Sequence, residues 1–336
     1  MPLAHITERA LIEHMSLYSG ATVTFVESLD TFAEDLRSAN PSLFISVPRL
    51  WMKFQAGILA KLPQKKLDKL LKLPIIGSLV RNKVKKQLGL SNARLCGSGT
   101  APISPAILEW YRKIGINISE GWGMTETTGL AVMQYPFRTE KLGTIGQAVN
   151  GTEIKISDAG EILVRGDGVV NGYYKDDEKT AETFVDGWLH TGDKAEMDAD
   201  GCLRITGRVK DIFKSGKGKY VVPVPIESLL YENNMIEQMC VMGSGLPQPV
   251  AVVVLSEETT QGLSQEEIQS SLSETLNSVN KRLEGHEKLD RIFVAKDPWT
   301  IENGLLTPTM KIKRNDLESL YAQAIAIESR DKVVWQ

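Results

Sequence analysis

The 336 residues are 42% hydrophobic and 24% charged, with a net charge of −3 at pH 7. This length leaves room for about two domains with sizeable cores, and the near-balanced charge excludes a strongly basic, nucleic-acid-binding chain. Cys96, Cys202 and Cys240 match no metal-ligand spacing, which indicates reduced structural thiols. No apolar stretch has the length of a membrane span, and the first residues do not form a signal peptide. We therefore expect a soluble cytoplasmic enzyme.

The first 50 residues predict alternating helices and strands. Apolar residues recur at helical spacing over 6–17, and β-branched residues at 22–26 indicate a strand. A helix at 29–38 and a strand at 43–47, which stops at Pro48, continue the alternation. This order favours a parallel sheet with covering helices. It starts abruptly, as though earlier strands of the sheet belonged upstream.

Residues 61–86 differ from the rest of the chain in their charge. Asp68 is the single acidic residue of the stretch, and apolar residues at helical spacing make it amphipathic, with breaks expected at Pro74 and Gly77. It is either a solvated helical insertion or a patch that rests on a membrane surface, where each basic residue near anionic lipid contributes about 1 kcal/mol. The basic residues are Lys61, Lys65, Lys66, Lys69, Lys72, Arg81, Lys83, Lys85 and Lys86.

Two small-residue loops follow short predicted strands at 92–95 and 116–119, which a predicted helix at 105–114 separates. The loops are Gly97-Ser98-Gly99-Thr100-Ala101-Pro102 and Gly121-Trp122-Gly123-Met124-Thr125-Glu126-Thr127. Glycine permits tight turns and close backbone approach to a ligand, and Thr125 and Glu126 offer a hydroxyl and a hard oxygen ligand for Mg²⁺. Each loop alone is more simply an ordinary tight turn. Together they predict a nucleotide pocket at the carboxyl ends of parallel strands.

The predicted secondary structure of the remaining chain changes in character twice. Short strands at 143–145, 152–157, 161–165, 188–194 and 202–206, separated by glycine turns, predict a small β-barrel or sandwich. From residue 208 a compact α+β pattern follows, with strands at 212–214, 220–222, 238–242, 250–255 and 291–295 and helices at 225–233, 264–283 and 314–327. We therefore divide the chain into an α/β subdomain (1–138), a small β-barrel (139–207) and a C-terminal α+β domain (208–336).

Five signatures occur in order along these segments. The Gly121–Thr127 loop is followed by Gly160-Glu161-Ile162-Leu163-Val164-Arg165-Gly166, Asp186-Gly187-Trp188-Leu189-His190-Thr191-Gly192-Asp193, Gly207-Arg208-Val209-Lys210-Asp211 and Thr307-Pro308-Thr309-Met310-Lys311-Ile312-Lys313-Arg314. The series resembles the acyl-adenylate-forming (AMP-binding) enzymes, which include acyl-CoA synthetases, peptide-synthetase adenylation domains and luciferases. Shorter matches at 2–9, 47–51 and 214–221 are most similar to long-chain fatty acid–CoA ligases. The resemblance covers essentially the whole chain and implies the adenylate-forming enzyme fold with a mobile C-terminal domain.

This resemblance also implies a reaction and its cofactors. A fatty acid carboxylate attacks the α-phosphate of ATP to give acyl-AMP and pyrophosphate, and the thiol of CoA then takes the acyl group. Positioning and charge neutralisation do most of the work in such a phosphoryl transfer. Glu126 would hold Mg²⁺ and Thr125 a phosphate oxygen, Asp193 the ribose hydroxyls, and Arg208 ribose or phosphate. The backbone around the nucleotide would come from Gly99, Thr100, Ala101, Pro102, Gly121, Trp122 and Gly123.

Four further assignments come from the same resemblance. Lys311 aligns with the catalytic lysine that bridges the attacking carboxylate and the phosphate, whereas Lys313 is the nearby decoy. Lys210 aligns with the hinge about which the last domain rotates between the two steps. The loop around Gly216 would approach CoA, although a solvated hairpin explains it as well. His5 would gate acyl entry.

One expected element is not found in the sequence. The family's Ser/Thr/Gly-rich phosphate-binding loop should lie upstream of His5, and the sequence starts after it. Two hypotheses follow: an N-terminally truncated ATP-dependent fatty acid–CoA ligase that acts on long chains, or a non-catalytic module of the same fold that binds nucleotide, acyl-adenylate or a partner. Medium-chain acids and a carrier-protein acceptor stay open as alternatives.

Overall fold

A computed structural model describes residues 3–28, 30–308, 310–327 and 329–336. These residues form two compact units, Met1–Thr191 with Glu196–Ile205 and Gly192–Ala195 with Thr206–Gln336. Leu29, the first residue of a predicted helix, and Pro2 and Thr309, which belong to two of the matched motifs, lie outside the described residues.

Helices dominate the early part of the first unit. A π-helical segment, Glu8–His14, leads into the first α-helix, and Pro48, Pro74 and Pro105 each begin a helix, where a missing N–H costs nothing. The α-helices are α1 Met15–Ser19, α2 Phe32–Ala39, α3 Pro48–Lys61, α4 Gln64–Leu71, α5 Pro74–Leu88, α6 Pro105–Lys113 and α7 Asp177–Thr183.

The first sheet places the two predicted loops side by side. Its strands are β1 Leu43–Ser46, β2 Leu95–Ser98, β3 Ile118–Trp122, β4 Val132–Met133 and β5 Gln147–Ala148, paired in that order. β1, β2 and β3 are parallel, and the pairs β3–β4 and β4–β5 are antiparallel. The carboxyl ends of β2 and β3 are therefore neighbours.

Helices α3 and α6 close the core beneath this sheet. The Trp51 indole N–H donates to the carbonyl of Gly97 over 3.2 Å, and the Tyr111 hydroxyl donates to the carbonyl of Trp51 over 2.5 Å. Phe44 and Tyr111 both contact the Trp51 ring edge-on, at centroid distances of 5.4 and 5.1 Å. Trp51 and Tyr111 are fully buried, so this aromatic cluster fixes α3 and α6 against β2.

One predicted strand and one predicted helix break in the early part of the chain are wrong. Residues 22–26 are not a strand, since they pair with no other described strand and leave Phe25 70% exposed; β-branched composition does not create a strand without a neighbour to pair with. Gly77 does not break the basic stretch either. It lies inside α5, where an added Cβ would come within 2.8 Å of the Leu71 carbonyl oxygen, so glycine is needed for the close approach of α4.

A second sheet replaces the predicted small barrel. It contains β6 Thr152–Ile156, β7 Glu161–Gly166, β8 Phe184–Val185, β9 Trp188–Met197 and β10 Leu203–Arg208. The order is β10-β9-β7-β6, with β8 on β9, and within the described residues it does not close into a ring. Leu203 of β10 instead bridges to Gly146, beside β5. Residues 143–145, predicted as a strand, form the turn that precedes this bridge.

The second unit is an α+β fold whose central sheet has a core on each face. Two hairpin strands, β11 Phe213–Lys214 and β12 Tyr220–Val221, precede a sheet ordered β13-β14-β15-β16. Side chains alternate along β13 and β14: Met239 and Val241 pack with α8 and α10, whereas Cys240 and Met242 pack with α11. The elements are α8 Pro223–Leu230, β13 Ile236–Met242, β14 Val250–Leu255, α9 Glu257–Thr260, α10 Gln265–Asn280, β15 Ile292–Val294, α11 Arg314–Ala326 and β16 Val333–Trp335.

The structure also bears on two properties considered from the sequence, the state of the cysteines and the presence of membrane-spanning helices. Cys96, Cys202 and Cys240 are free and buried. Within the described part of the chain, no helix has both the length and the apolar character needed to cross a membrane.

Candidate functional site

The loop after β3 folds into a tight turn around Glu126. Thr125–Thr127 is one turn of 3₁₀-helix, in which the Met124 N–H donates to the Thr127 hydroxyl over 2.9 Å. Thr127 is buried, Thr125 is exposed and Glu126 is half-buried. Gly123 touches the backbone of Gly129 so closely that a Cβ could not fit, so this glycine is required by packing. The turn thus presents a hydroxyl and a carboxylate on a rigid base.

Tyr173 holds the carboxylate of Glu126, a contact that the sequence did not predict. The Tyr173 hydroxyl donates to Glu126 Oε1 over 2.7 Å. Burial, followed by the contact with Glu126, raises the pKa of Tyr173, so the phenol keeps its proton and remains a donor. The only sequence signal is a tyrosine that follows Gly172 in a turn, which has many structural explanations.

The loop that carries Tyr173 is also attached to the Glu126 turn by hydrogen bonds to main-chain carbonyls. The Val170 N–H donates to the Glu126 carbonyl over 2.9 Å, and the Thr128 hydroxyl donates to the Gly168 carbonyl over 2.6 Å. Phe184 packs against the Tyr173 ring at a centroid distance of 6.0 Å. The orientation of Glu126 is therefore fixed by a separate segment of chain.

The loop after β2 lies beside the Glu126 loop. The Gly99 N–H donates to the Ser46 carbonyl over 3.2 Å, and a Cβ on Gly99 would lie 3.3 Å from the Gly121 carbonyl oxygen. Thr100 has a φ of +69°, an unusual conformation for a residue with a side chain. Ala101 and Pro102 are exposed. The strands thus bring Gly99 and Gly121 together, which fits the shared edge expected from the sequence.

The N-terminal helical segment packs against Gly129, just after the Glu126 turn. Ile6 and Ala10 lie next to Gly129, where a Cβ would come within 3.2 Å of Ala10 Cβ. His5 is half-buried, and its Nδ1 accepts a hydrogen bond from the Thr7 N–H over 3.2 Å. His5 therefore lies on the segment that borders the Glu126 loop.

A buried polar pair lies below the loops. Register pairs Ser98 of β2 with Glu120 of β3, so both side chains leave the same face of the sheet. Ser98 Oγ and Glu120 Oε2 are buried and find no hydrogen-bond partner among the described residues. Burial raises the pKa of Glu120 to about 8, against the opposing effects of the Arg204 charge and the Gly143 N–H. The sequence places Ser98 in the first small-residue loop but gives no signal for Glu120, because nothing in a short strand marks a carboxylate as buried.

In the second unit, a carboxylate, a guanidinium and an ammonium lie close together. Arg208 Nε donates to Asp193 Oδ1 over 2.5 Å, and the Asp193 side chain is only 11% exposed. Lys311 as a residue is exposed, but its ammonium is partly desolvated. That desolvation and the charge of Arg208 lower the pKa of Lys311, while Asp193 raises it. Three residues predicted from separate motifs therefore influence one another electrostatically.

The backbone around Lys311 forms a short hairpin. Leu306 bridges to Ile312, the Thr307 N–H donates to the Lys311 carbonyl over 2.8 Å, and Met310 has a φ of +64°. Lys313 is the N-cap of α11, and its ammonium pairs with Asp316 at 3.7 Å. The two lysines are thus structurally distinct.

Lys210 and Gly216 occupy turns of the second unit. Lys210 lies in a 3₁₀ turn, Val209–Asp211, immediately after β10. The Gly216 N–H donates to the Leu246 carbonyl over 2.7 Å, and a Cβ on Gly216 would lie 2.5 Å from the Gly245 carbonyl oxygen. The Lys217 ammonium donates to Gln248 over 3.0 Å. The loop between β11 and β12 is therefore packed on its neighbour, with its lysines exposed.

A metal ion bound at Glu126 would need further ligands from the substrate. No group of three or more His, Cys, Asp and Glu side chains in the described ranges could hold a metal ion alone. Glu126 remains a suitable single carboxylate, since Mg²⁺ is commonly bound by one or two carboxylates together with substrate phosphates.

Comparisons with known proteins show the family of the chain. The family model described as AMP-binding enzyme matches residues 1–174, and the one described as AMP-binding enzyme C-terminal domain matches residues 210–328. Long-chain-fatty-acid–CoA ligase FadD15 of Mycobacterium bovis is 32% identical over 96% of this chain and 61% of its own length. Long chain acyl-CoA synthetase 7, peroxisomal, of Arabidopsis thaliana is also 32% identical, over 97% and 54% respectively.

Solved structures give the same fold. The A-PCP didomain of carboxylic acid reductase from Segniliparus rugosus, in complex with AMP, matches 97% of this chain and 47% of its own with a TM-score of 0.79 at 25% identity. Anthranilate CoA ligase AuaEII, in complex with anthranoyl-AMP, matches 92% and 56% with a TM-score of 0.68 at 26% identity.

The architecture and the motif positions define the adenylate-forming enzyme fold. The chain belongs to the AMP-binding enzyme family. It spans less than two thirds of the length of the curated relatives described above.

Proposed function

We propose that this chain carries the adenylation and thioester-forming machinery of an ATP-dependent fatty acid–CoA ligase, acting on long-chain acids. The observation that carries this proposal is the electrostatic group of Lys311, Asp193 and Arg208 within the second unit. The names of the two ligase relatives support the substrate class.

The nucleotide would be bound by residues from several motifs. Asp193 accepts hydrogen bonds from the ribose hydroxyls, and Arg208, whose planar fork suits oxygen acceptors, contacts ribose or phosphate. Thr125 donates to a phosphate oxygen. Glu126 would hold Mg²⁺ together with the phosphates, and the bound ion would neutralise phosphate charge. The adenine would lie against the backbone of Gly99, Thr100, Ala101, Pro102, Gly121, Trp122 and Gly123.

Lys311 would act in the first step. A fatty acid carboxylate oxygen forms a bond to the α-phosphorus as the bond to pyrophosphate breaks. An ammonium about 4 Å from one of these negative charges contributes roughly 4 kcal/mol at an effective dielectric near 20. Because Arg208 and Asp193 both act electrostatically on the Lys311 ammonium, we expect that ammonium to act on a nucleotide bound by those two residues.

The second step would use the other assigned residues. The CoA sulfur forms a bond to the acyl carbonyl carbon, and AMP leaves. Lys210 is the hinge between the two steps, and the loop around Gly216 meets the CoA phosphates through its exposed lysines. His5 gates acyl entry beside the Glu126 loop. Peripheral contact of a cytoplasmic enzyme with membrane lipid, through the basic helices, would bring it to its substrate.

Two substitutions separate these steps. Lys311→Ala is expected to reduce acyl-AMP formation by about 100-fold or more, as loss of a transition-state donor does, and to spare thioester formation from supplied acyl-AMP. Lys313→Ala, its matched control, leaves both steps intact. Lys210→Pro is expected to do the reverse of Lys311→Ala. Half-reaction rates measure both, and equal loss of both steps in either variant contradicts the assignment. A chain that binds acyl-AMP but catalyses neither step is the non-catalytic module.

A further inference from the structure

Arg314 lies three residues after Lys311 and is the first residue of α11. Its guanidinium is nearly buried, with the side chain only 11% exposed. Burial of a cation is expensive unless several partners compensate it. The arrangement of those partners points to a role beyond packing.

The partners come from three separate elements of the second unit. One terminal nitrogen donates to the Val241 carbonyl over 2.7 Å and to Cys240 Sγ over 3.1 Å, both on β13. The other donates to Glu227 Oε1 of α8 over 2.8 Å. Arg314 therefore joins the start of α11 to the sheet and to a helix on its opposite face.

The third element is the turn that contains Lys210. Arg314 Nε lies 3.8 Å from Asp211 Oδ2, and this nitrogen makes no hydrogen bond to the described residues. Glu227 Oε1 also accepts a hydrogen bond from the Val241 N–H over 2.8 Å, so Glu227 too is tied to the sheet. The carboxylates of Glu227 and Asp211 raise the pKa of Arg314 despite its burial. The guanidinium is thus a permanently charged junction.

We propose that Arg314 is a positioning residue that fixes the Lys311 turn and Asp211 to the sheet of the second unit as one body, so that Lys311 stays within electrostatic reach of Asp193 and Arg208. This inference rests on the proposed role of Lys311. The fork of Arg314 makes contacts that no single ammonium can make together. Arg314 touches no reacting atom; it acts through the turn.

The test measures Lys311 without any substrate. The chain is labelled with an amine-reactive reagent over a pH series, and mass spectrometry gives the labelling midpoint of Lys311 in wild type, Arg314→Lys and Arg314→Met. Both substitutions are expected to move the midpoint upward, toward that of an ordinary exposed lysine, because the loosened turn takes Lys311 away from Arg208 and into water. Lys65 in the same samples is the internal control, because it lies on α4 of the first unit, and its labelling should be the same in all three chains.

Arg314→Lys is the decisive variant, since it keeps the charge and loses the fork. A wild-type midpoint in this variant overturns the proposal, even if Arg314→Met differs, because charge alone would then explain the effect. Should Arg314→Lys fail to fold by circular dichroism, Glu227→Gln decides in the same way. Failure of the proposed ligase function appears separately, as missing adenylation in a wild-type chain whose Lys311 midpoint still depends on Arg314.

Discussion

At the scale of single residues, the contact between Tyr173 and Glu126 explains how a carboxylate on an open turn can keep one orientation. The phenol donates a hydrogen bond to one carboxylate oxygen of Glu126. A hydrogen bond to a charged acceptor contributes about 1.5–3 kcal/mol. Tyr173 therefore supports Glu126 in whatever Glu126 binds.

Tyr173→Phe removes this hydroxyl and little else, since the ring contact with Phe184 can remain. We expect about a 10-fold or greater rise in the Mg²⁺ concentration needed for half-maximal adenylation, because Glu126 must then be ordered by the ion itself. Magnesium titrations at saturating ATP measure this. Tyr174→Phe is the matched control, as Tyr174 is 89% exposed. An unchanged magnesium requirement in Tyr173→Phe would remove Tyr173 from this role.

The sequence predicted residues that belong to contiguous motifs and missed residues that act across the fold. Asp193, Arg208 and Lys311 come from three motifs whose order is visible in the chain, and in the structure Arg208 and Asp193 act electrostatically on Lys311; their roles stay predictions. Tyr173 and Glu120 act across the fold, and Arg314, which belongs to a matched motif but has no role assigned from the sequence, acts through Glu227, 87 positions away. Such pairing depends on packing, which single-residue patterns do not encode.

At the scale of elements, strand β3 contains a carboxylate whose burial is energetically unfavourable. Glu120 is buried beside Ser98 with one carboxylate oxygen unpartnered among the described residues. Because burial raises the pKa of Glu120 to about 8, the folded chain holds a proton there at pH values where the unfolded chain has released it. The free energy of unfolding must then depend on pH.

The sign of that dependence follows from linkage. Between the ordinary Glu pKa of 4.5 and about 8, the folded state binds more protons than the unfolded state, so Glu120 makes stability fall as pH rises. The slope from this one group approaches about 1.4 kcal/mol per pH unit. Glu120→Gln should remove this component, whereas Glu153→Gln, at an exposed site, should leave it. Denaturant unfolding at a series of pH values measures both, and identical slopes in Glu120→Gln and wild type would contradict the assignment.

Element positions were predictable where local chemistry decides them. The Ser264 capping box with Glu267 is present at the start of α10, and β14 lies where its apolar run predicted. Residues 22–26 failed because a strand needs a partner, and Gly77 failed because a helix tolerates glycine where a neighbour approaches closely. In both cases the tertiary contacts, rather than the local sequence, determine the secondary structure.

At the scale of the whole molecule, helices α4 and α5 present an unusual surface. Ile75 and Leu79 are 78% and 64% exposed, and seven exposed lysines lie in the same 26-residue stretch, at positions 61, 65, 66, 69, 72, 83 and 86. Apolar side chains bordered by basic ones suit the surface of an anionic bilayer. A ligase for long-chain acids would find its substrate there.

Lys69, Lys72 and Lys83 changed together to Gln should weaken binding to phosphatidylserine-containing vesicles by roughly 100-fold, since each basic residue near the surface contributes about 1 kcal/mol. Vesicle flotation at low ionic strength measures the affinity. The control changes Lys155, Lys175 and Lys179, which lie on other elements, to Gln. Equal binding by both triple variants would show that this surface is only a solvated insertion.

ATP–pyrophosphate exchange shows whether this fold adenylates long-chain fatty acids. The folded 336-residue chain is supplied with ATP, Mg²⁺ and saturated fatty acids of increasing chain length. We expect exchange that requires the acid, increases toward long chains, and disappears in Lys311→Ala while surviving in Lys313→Ala. A folded chain that gives no acid-dependent exchange would contradict the ligase assignment for this chain.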